Sequence, residues 1–238
     1  MTNEISTLLD AMNERQLARR TSPGTVAASA YDRIKQDIIF GRLKPGLKLK
    51  LDTVRLDYQV SISTVRETLG RLATEGFVLA AEQRGFFVTD VSEEDLTEVA
   101  NLRILLECSA LRTSIQNGDS QWEANLVGAY HLLQQAEKQM LSNDQSQKEL
   151  WKKSDSDFHH ALIKACQSRN LMSLHAILFD KYLRYQMLIL TFRGQAAADE
   201  HKAIFEAALI RDADAAARHL EAHIKNGLIH TLEALKAD

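Results

Sequence analysis

Both prolines of this 238-residue chain, Pro23 and Pro45, lie in its first fifth. Beyond Pro45 nothing forbids a helix interior in the way proline does, by removing an amide donor and clashing with the preceding turn. From about Val91 onward, apolar side chains recur near the 3.6-residue period almost without interruption. The stretch to Ala237 therefore reads as an all-α bundle of roughly six or seven helices. Its breaks fall at Gln116–Asp119, Ser142–Ser146, Gln167–Asn170, Arg193–Ala196 and Arg211–Asp212. A start signal opens it: Ser92 can cap a helix, and Glu93, Glu94 and Asp95 then face the positive end of its dipole.

The chain ahead of this bundle carries a different pattern. Val54–Gln59 and Ser61–Glu75 read as two helices joined by a tight turn, a helix-turn-helix. The second helix has an apolar stripe of Val65, Leu69, Leu72 and Ala73 and leaves Ser61, Ser63, Thr64, Arg66 and Arg71 to the other face. Short hydroxyls at a helix start hold phosphates, and an arginine there can reach the O6 and N7 of guanine in a major groove. Phe77–Ala81 and Gly85–Thr89 follow as two strands, and the polar turn between them ends in Arg84 and Gly85, a wing suited to the minor groove. Upstream, Val26–Phe40 is a helix with Ala30, Ile34 and Ile38 on its buried side. Residues 1–24 read as a flexible polar arm, cut off by Thr21–Gly24. On pattern alone the module is either a DNA reader or a small helical domain whose arginines are merely solvated.

The residues that break this tie are "IKQDIIFGRLKPGLKL", "VSISTVRETLGRLATEGFV" and "QRGFFV". Together, over about Tyr31 to Val88, they resemble the winged-helix domain of the GntR family of bacterial transcription regulators. The resemblance implies that Arg66 touches base or phosphate with Glu67 orienting it. Ser61, Ser63 and Thr64 then stand at the start of the recognition helix, and Arg84 and Gly85 at the wing tip. Ile62 departs from the arginine that many relatives carry after the Val-Ser pair, and Thr64 from a frequent proline, so operator preferences of relatives are not carried over.

Charge distribution agrees with this division. Residues 25–88 hold ten Lys and Arg against seven Asp and Glu, net +3, whereas residues 89–238 hold sixteen against twenty-two, net −6; the first 24 residues cancel. The basic excess sits where phosphate neutralisation needs it. No apolar run approaches the ~20 residues that span a bilayer, and the acidic N-terminus lacks the basic-then-apolar order of a secretion signal. A cytoplasmic location without membrane contact is expected. Cys108 and Cys166 lack metal-ligand spacing and fit a reducing compartment.

The informative feature of the bundle is where its histidines fall. Trp151, Asp155, Phe158, His159 and Leu162 share a helical stripe, which places Asp155 and His159 one turn apart on an apolar face. His201 opens a second stripe with Ile204 and Phe205, and His223 lies in a third with Leu220 and Ile224. One carboxylate and three imidazoles turned inward need partners, and a divalent cation supplies one to all four. Zn²⁺ suits this set best, with Mn²⁺, Ni²⁺ and Fe²⁺ also compatible. Any one of these histidines reads equally as a hydrogen-bonded core residue, and His219 is the one substitute ligand by spacing.

"RILLECSALR", "SDSDFHHALIKACQSRNL" and "DEHKAIFEAALIRDADAAARHLEAHI" are similar to the C-terminal FCD ligand-binding domain of the FadR subfamily, over about Ser92 to Ala237. The resemblance implies that Asp155, His159, His201 and His223 hold a metal. It further implies that Arg103, on the first helix of the domain, pairs with an effector carboxylate, and that Asn170 belongs to the effector site. Residues 1–24 are then an arm, 25–90 a DNA-binding domain, and 91–238 an effector-binding and dimerisation domain. The expected protein is a homodimeric regulator, a repressor reading an inverted repeat in double-stranded DNA and released or engaged by a small carboxylate. Two other readings remain open at this point: a metal-dependent enzyme fused to a winged helix, and a regulator that senses the metal itself.

Overall fold

The computed structural model describes residues 23–142, 147–189 and 192–237. The arm expected over residues 1–24 lies outside the described residues except for its last two. The chain divides after Asp90 into two compact units.

In the first unit, α1 spans Pro23–Ile39. Pro23, read from sequence as part of a break, instead opens the helix, since a first-turn amide has no helical acceptor to lose. Gly41 and Gly46 then turn the chain at φ 71° and 73°, a left-handed region that side-chain-bearing residues avoid. At Gly46 a Cβ would also stand 3.0 Å from the Asp90 carboxylate. A short strand that the sequence reading did not include, β1 (Lys48–Leu49), pairs antiparallel with β3.

Next come α2 (Leu51–Tyr58) and α3 (Ile62–Thr74), with Gln59 in the left-handed conformation at φ 56° closing α2. Ser61 caps α3, its Oγ accepting from the Thr64 amide at 3.1 Å. The hairpin of β2 (Val78–Ala81) and β3 (Gly85–Val88) completes a three-stranded sheet in the order β1-β3-β2. Ile34, Ile38, Val65, Leu69, Leu72 and Phe77 are wholly buried beneath it. Each such side chain contributes on the order of 1.5–3 kcal/mol through burial. The result is a winged helix-turn-helix.

The second unit holds six helices among the described residues. They are α4 (Glu93–Asn117), α5 (Ser120–Leu141), α6 (Lys148–Ile163), α7 (Arg169–Ile189), α8 (Gln195–Leu209) and α9 (Ala213–Ala237). Ser92 caps α4 through the Asp95 amide at 3.1 Å, and Asp119 caps α5 through the Trp122 amide at 2.9 Å. Between those two helices Gly118 is required, because a Cβ there would meet the Trp122 ring at 2.4 Å. The break at Gln167–Asn170 is narrower than expected: Ser168 caps α7 through the Leu171 amide, and Asn170 is already helical. Helix α4 packs on α7 and α9, and α5 on α6. Leu96, Leu111, Leu126, Leu133, Phe158, Leu162, Ile204 and Leu220 fill the space between them. Among the described residues no helix is long and apolar enough to cross a membrane.

Candidate metal centre and nucleic-acid surface

In the first unit, Ser61, Ser63, Arg66, Arg84 and Gly85 are all exposed and Thr64 is half-buried. The start of α3 and the wing border one open groove, lined by Lys48, Lys50, Arg66, Glu82, Gln83 and Gly85. Among the described residues, Arg66 and Arg84 make no side-chain hydrogen bond or ion pair, and nothing joins Arg66 to Glu67. Arg71 behaves otherwise. Its guanidinium lies 3.7 Å from the Tyr31 ring centre, and its Nε donates to Glu75 at 3.3 Å, tying α3 to α1. The sequence pattern missed this because Tyr31 lies on another helix.

Within the bundle, Asp155 and His159 project from one face of α6, His201 from α8 and His223 from α9. One possible ligand atom from each lies within 4.8 Å of all the others. Bonds of about 2.0–2.2 Å to a shared ion would draw the four atoms closer together. The ring centres of His201 and His223 are 4.4 Å apart, and those of His159 and His223 5.3 Å. His201 Nε2 stands 3.3 Å from an Asp155 oxygen.

Each histidine is held from behind by a glutamate. Nδ1 of His159 is 2.8 Å from Glu107, Nδ1 of His201 is 2.6 Å from Glu137, and Nδ1 of His223 is 2.8 Å from Glu200. An ionised carboxylate only accepts hydrogen bonds, so Nδ1 of His159 and of His201 carries the proton, whereas Nδ1 of His223 lies between Glu200 at 2.8 Å and the donor Nη2 of Arg193 at 3.2 Å. In His159 and His201 this leaves Nε2 for a ligand, the outer arrangement that orients metal-binding histidines elsewhere. Glu137 and Glu200 carry no signal of this role in the sequence, because each meets its partner on a different helix.

Protonation follows the same geometry. Burial alone would lower His201, but the close approach of Asp155, the hydrogen bond that Nδ1 donates to Glu137 and the charges of both carboxylates outweigh it and push its pKa up to about 9. Burial, and then the His201 charge, push His223 down to about 3; burial also lowers His159. Burial opposes ionisation of Asp155, yet Lys152 and the two nearest histidines hold its carboxyl well below the usual range. Without an ion, the cluster thus keeps one extra proton, on His201. A cation can replace that proton on the same atoms.

The four residues line a cavity together with Arg103, Lys152, Tyr182, Arg193 and His230, among others. It is a small cavity, with a volume of about 30 Å³. Arg103 is 3% exposed, donates from Nε to Glu107 at 2.6 Å and lies against the rings of Phe179 and Tyr182. Its Nη2, Trp151 Nε1, Tyr182 Oη and His201 Nε2 are buried polar atoms without a hydrogen-bond partner, and all four belong to residues of this cavity. Such atoms cost about 1–3 kcal/mol each when nothing meets them. Gly227 lets Tyr182 approach, since a Cβ there would lie 2.7 Å from its hydroxyl.

Not every expected residue arrives at the cavity. Asn170, the second residue of α7, is exposed and does not line it. Five residues before buried His175, it falls on the opposite side of the helix and faces solvent. His175 itself, which lacks the ligand pattern in sequence, is buried with Nε2 3.3 Å from Glu107. His230, also passed over, lines the cavity.

Comparisons with known proteins agree with both units. Residues 26–88 match the family "Bacterial regulatory proteins, gntR family", and residues 98–226 match the FCD domain. The HTH-type transcriptional regulator BphR of Paraburkholderia xenovorans (strain LB400) is 36% identical over 202 residues, which cover 84% of this chain and 82% of that protein. The HTH-type transcriptional repressor GlaR of Escherichia coli (strain K12) is 29% identical over 202 residues, covering 82% and 90%. Escherichia coli McbR, a solved structure 19% identical, shares the fold with a TM-score of 0.74 over 87% of this chain and 97% of that one. The chain belongs to the gntR family of bacterial regulatory proteins, as a DNA-binding transcription regulator that carries an FCD domain behind its helix-turn-helix and not as an enzyme.

Proposed function

We propose that the protein is a cytoplasmic, homodimeric repressor whose grip on an inverted-repeat operator is set by a small organic acid bound at a metal in the FCD domain. The observation that carries this reading is the set of three glutamate-backed histidines clustered with Asp155, a ligand atom of each within 4.8 Å of the others, in a cavity that Arg103 also lines. Asp155, His159, His201 and His223 hold the ion, Zn²⁺ being the first choice for one carboxylate and three imidazoles. The ion supplies a Lewis-acid position to an oxygen of the effector. Arg103 takes the carboxylate through Nη2 while Glu107 fixes its Nε.

On the DNA side, Arg66 reads a base edge and Ser63 and Thr64 meet phosphates, with Arg84 and Gly85 at the wing. A two-fold dimer reads a two-fold site. The acid shifts operator affinity only as far as it prefers one arrangement of the protein over another, typically by ~1–3 kcal/mol.

The test is metal analysis of the purified protein, followed by thermal melting against short carboxylates before and after chelation. A ligand specific to the folded state raises the melting temperature. The reading expects bound divalent metal and acids that stabilise only the loaded protein. Acids that stabilise chelated and loaded protein alike would remove the metal from the effector site. Operator binding that follows metal concentration with no acid present would make the metal itself the signal.

A further inference from the structure

The charges around the cavity do not cancel once an ion is counted. Arg103, Lys152 and Arg193 line it as cations, and Asp155, Glu107, Glu137 and Glu200 are the carboxylates that line it or contact its residues. A divalent ion with neutral histidines brings the total to five positive charges against four negative. Three of the four carboxylates are paired away from Lys152: Glu107 with Arg103 and His159, Glu137 with His201, and Glu200 with Arg193 and His223. The fourth, Asp155, is 3.8 Å from Lys152 Nζ and is an ion ligand in the proposed site.

Lys152 is therefore the unbalanced charge. It is 3% exposed, and its Nζ donates to the neutral amide of Gln186 at 2.7 Å. No carboxylate of the described residues lies within hydrogen-bond distance of it. A buried ammonium in this position is costly unless an anion meets it. Donors prevail among the groups awaiting partners, because Trp151 Nε1 and Arg103 Nη2 can only donate.

We propose that Lys152 is the residue that sets the charge of the effector, so that the cavity selects a small monoanion, a short monocarboxylate with a further oxygen acceptor, over a dicarboxylate. This rests on the effector reading above and extends it to a side chain which that reading does not use. Arg103, already neutralised by Glu107, supplies direction; Lys152 supplies the charge. The small volume acts in the same sense, since a second carboxylate and its hydration have little room.

The experiment is calorimetric titration of the metal-loaded full-length protein with glycolate, pyruvate, malonate and succinate, and with glycolamide as the uncharged analogue. Lys152→Gln and Lys152→Met are titrated alongside, with metal content and melting temperature measured for each. In the native protein, glycolate or pyruvate should bind at least ten-fold more tightly than either dicarboxylate and than glycolamide. In both variants that acid should weaken at least ten-fold and its margin over glycolamide should collapse, with metal content unchanged. Tighter binding of a dicarboxylate overturns the charge assignment. Unchanged binding of the monocarboxylate by a folded, metal-loaded variant overturns the role of Lys152 and leaves the effector site standing. Silence from every acid in the native protein removes both.

Discussion

Arg66 and Arg103 are both arginines on helices facing a proposed ligand, and they could hardly be held more differently. Arg66 is exposed at the start of α3 with no side-chain partner among the described residues. Arg103 is buried, fixed by Glu107 and flanked by two aromatic rings. The same contrast runs through the two units. The proposed nucleic-acid surface is a set of exposed charges on a packed scaffold, which suits a polyanion whose counterion release supplies much of the affinity. The cavity is preorganised, because a small ligand brings too few contacts to order its own site. Rigidity is placed where the ligand is small.

That contrast can be broken most directly at the metal. His201→Ala should lower divalent-metal affinity by more than about a hundred-fold while the proposed dimer survives, as judged by metal analysis and sedimentation. Unaltered metal content would remove His201 from the ligand set. One shell out, Glu137→Gln keeps the shape but removes the charge behind His201, and the loss should be about 10–100-fold in metal affinity. If Glu137 merely packs, competition with a chelator will show no change.

On the open side, Arg66→Ala should cost about 1–3 kcal/mol in operator binding and leave effector-induced melting shifts intact. Equal operator affinity for variant and native protein would move base reading elsewhere on α3.

The smallest effect is in pH. In the metal-free protein His201 keeps its proton up to about pH 9, so an ion binding below that pH must displace it. Metal affinity should therefore rise as pH increases from 7 to 9, by at most about ten-fold per pH unit, with proton release visible when uptake is measured in buffers of different ionisation enthalpy. Burial, which brings Lys152 down to about 8, acts in the same direction. A flat profile would mean that His201 is neutral before the ion arrives.

Much of this was legible before any coordinates. Helical periodicity without proline marked the bundle, and inward spacing marked Asp155, His159, His201 and His223, the four residues that converge in the structure. The cap at Ser92 and the break at Gly118 follow from local chemistry. What escaped was non-local. The two-residue strand β1 has too few residues to show a period and exists because β3 offers it an edge. Arg71 looked like part of the groove-facing surface until Tyr31 was brought beneath it. The family resemblance assigned Asn170 to the effector site, but the first turn of α7 leaves it exposed.

The sequence by itself determined which side chains turn inward, because a helix of known period can bury only one stripe. It also determined the division of charge between the two units. Only the tertiary structure decided what those inward groups meet. Glu107, Glu137 and Glu200 reach His159, His201 and His223, which lie 52, 64 and 23 residues away in the chain, and Lys152 is left with Gln186 and, at 3.8 Å, Asp155. Pairing of buried charges depends on which helices pack together, and that is settled by the shape of the whole core rather than by any local spacing.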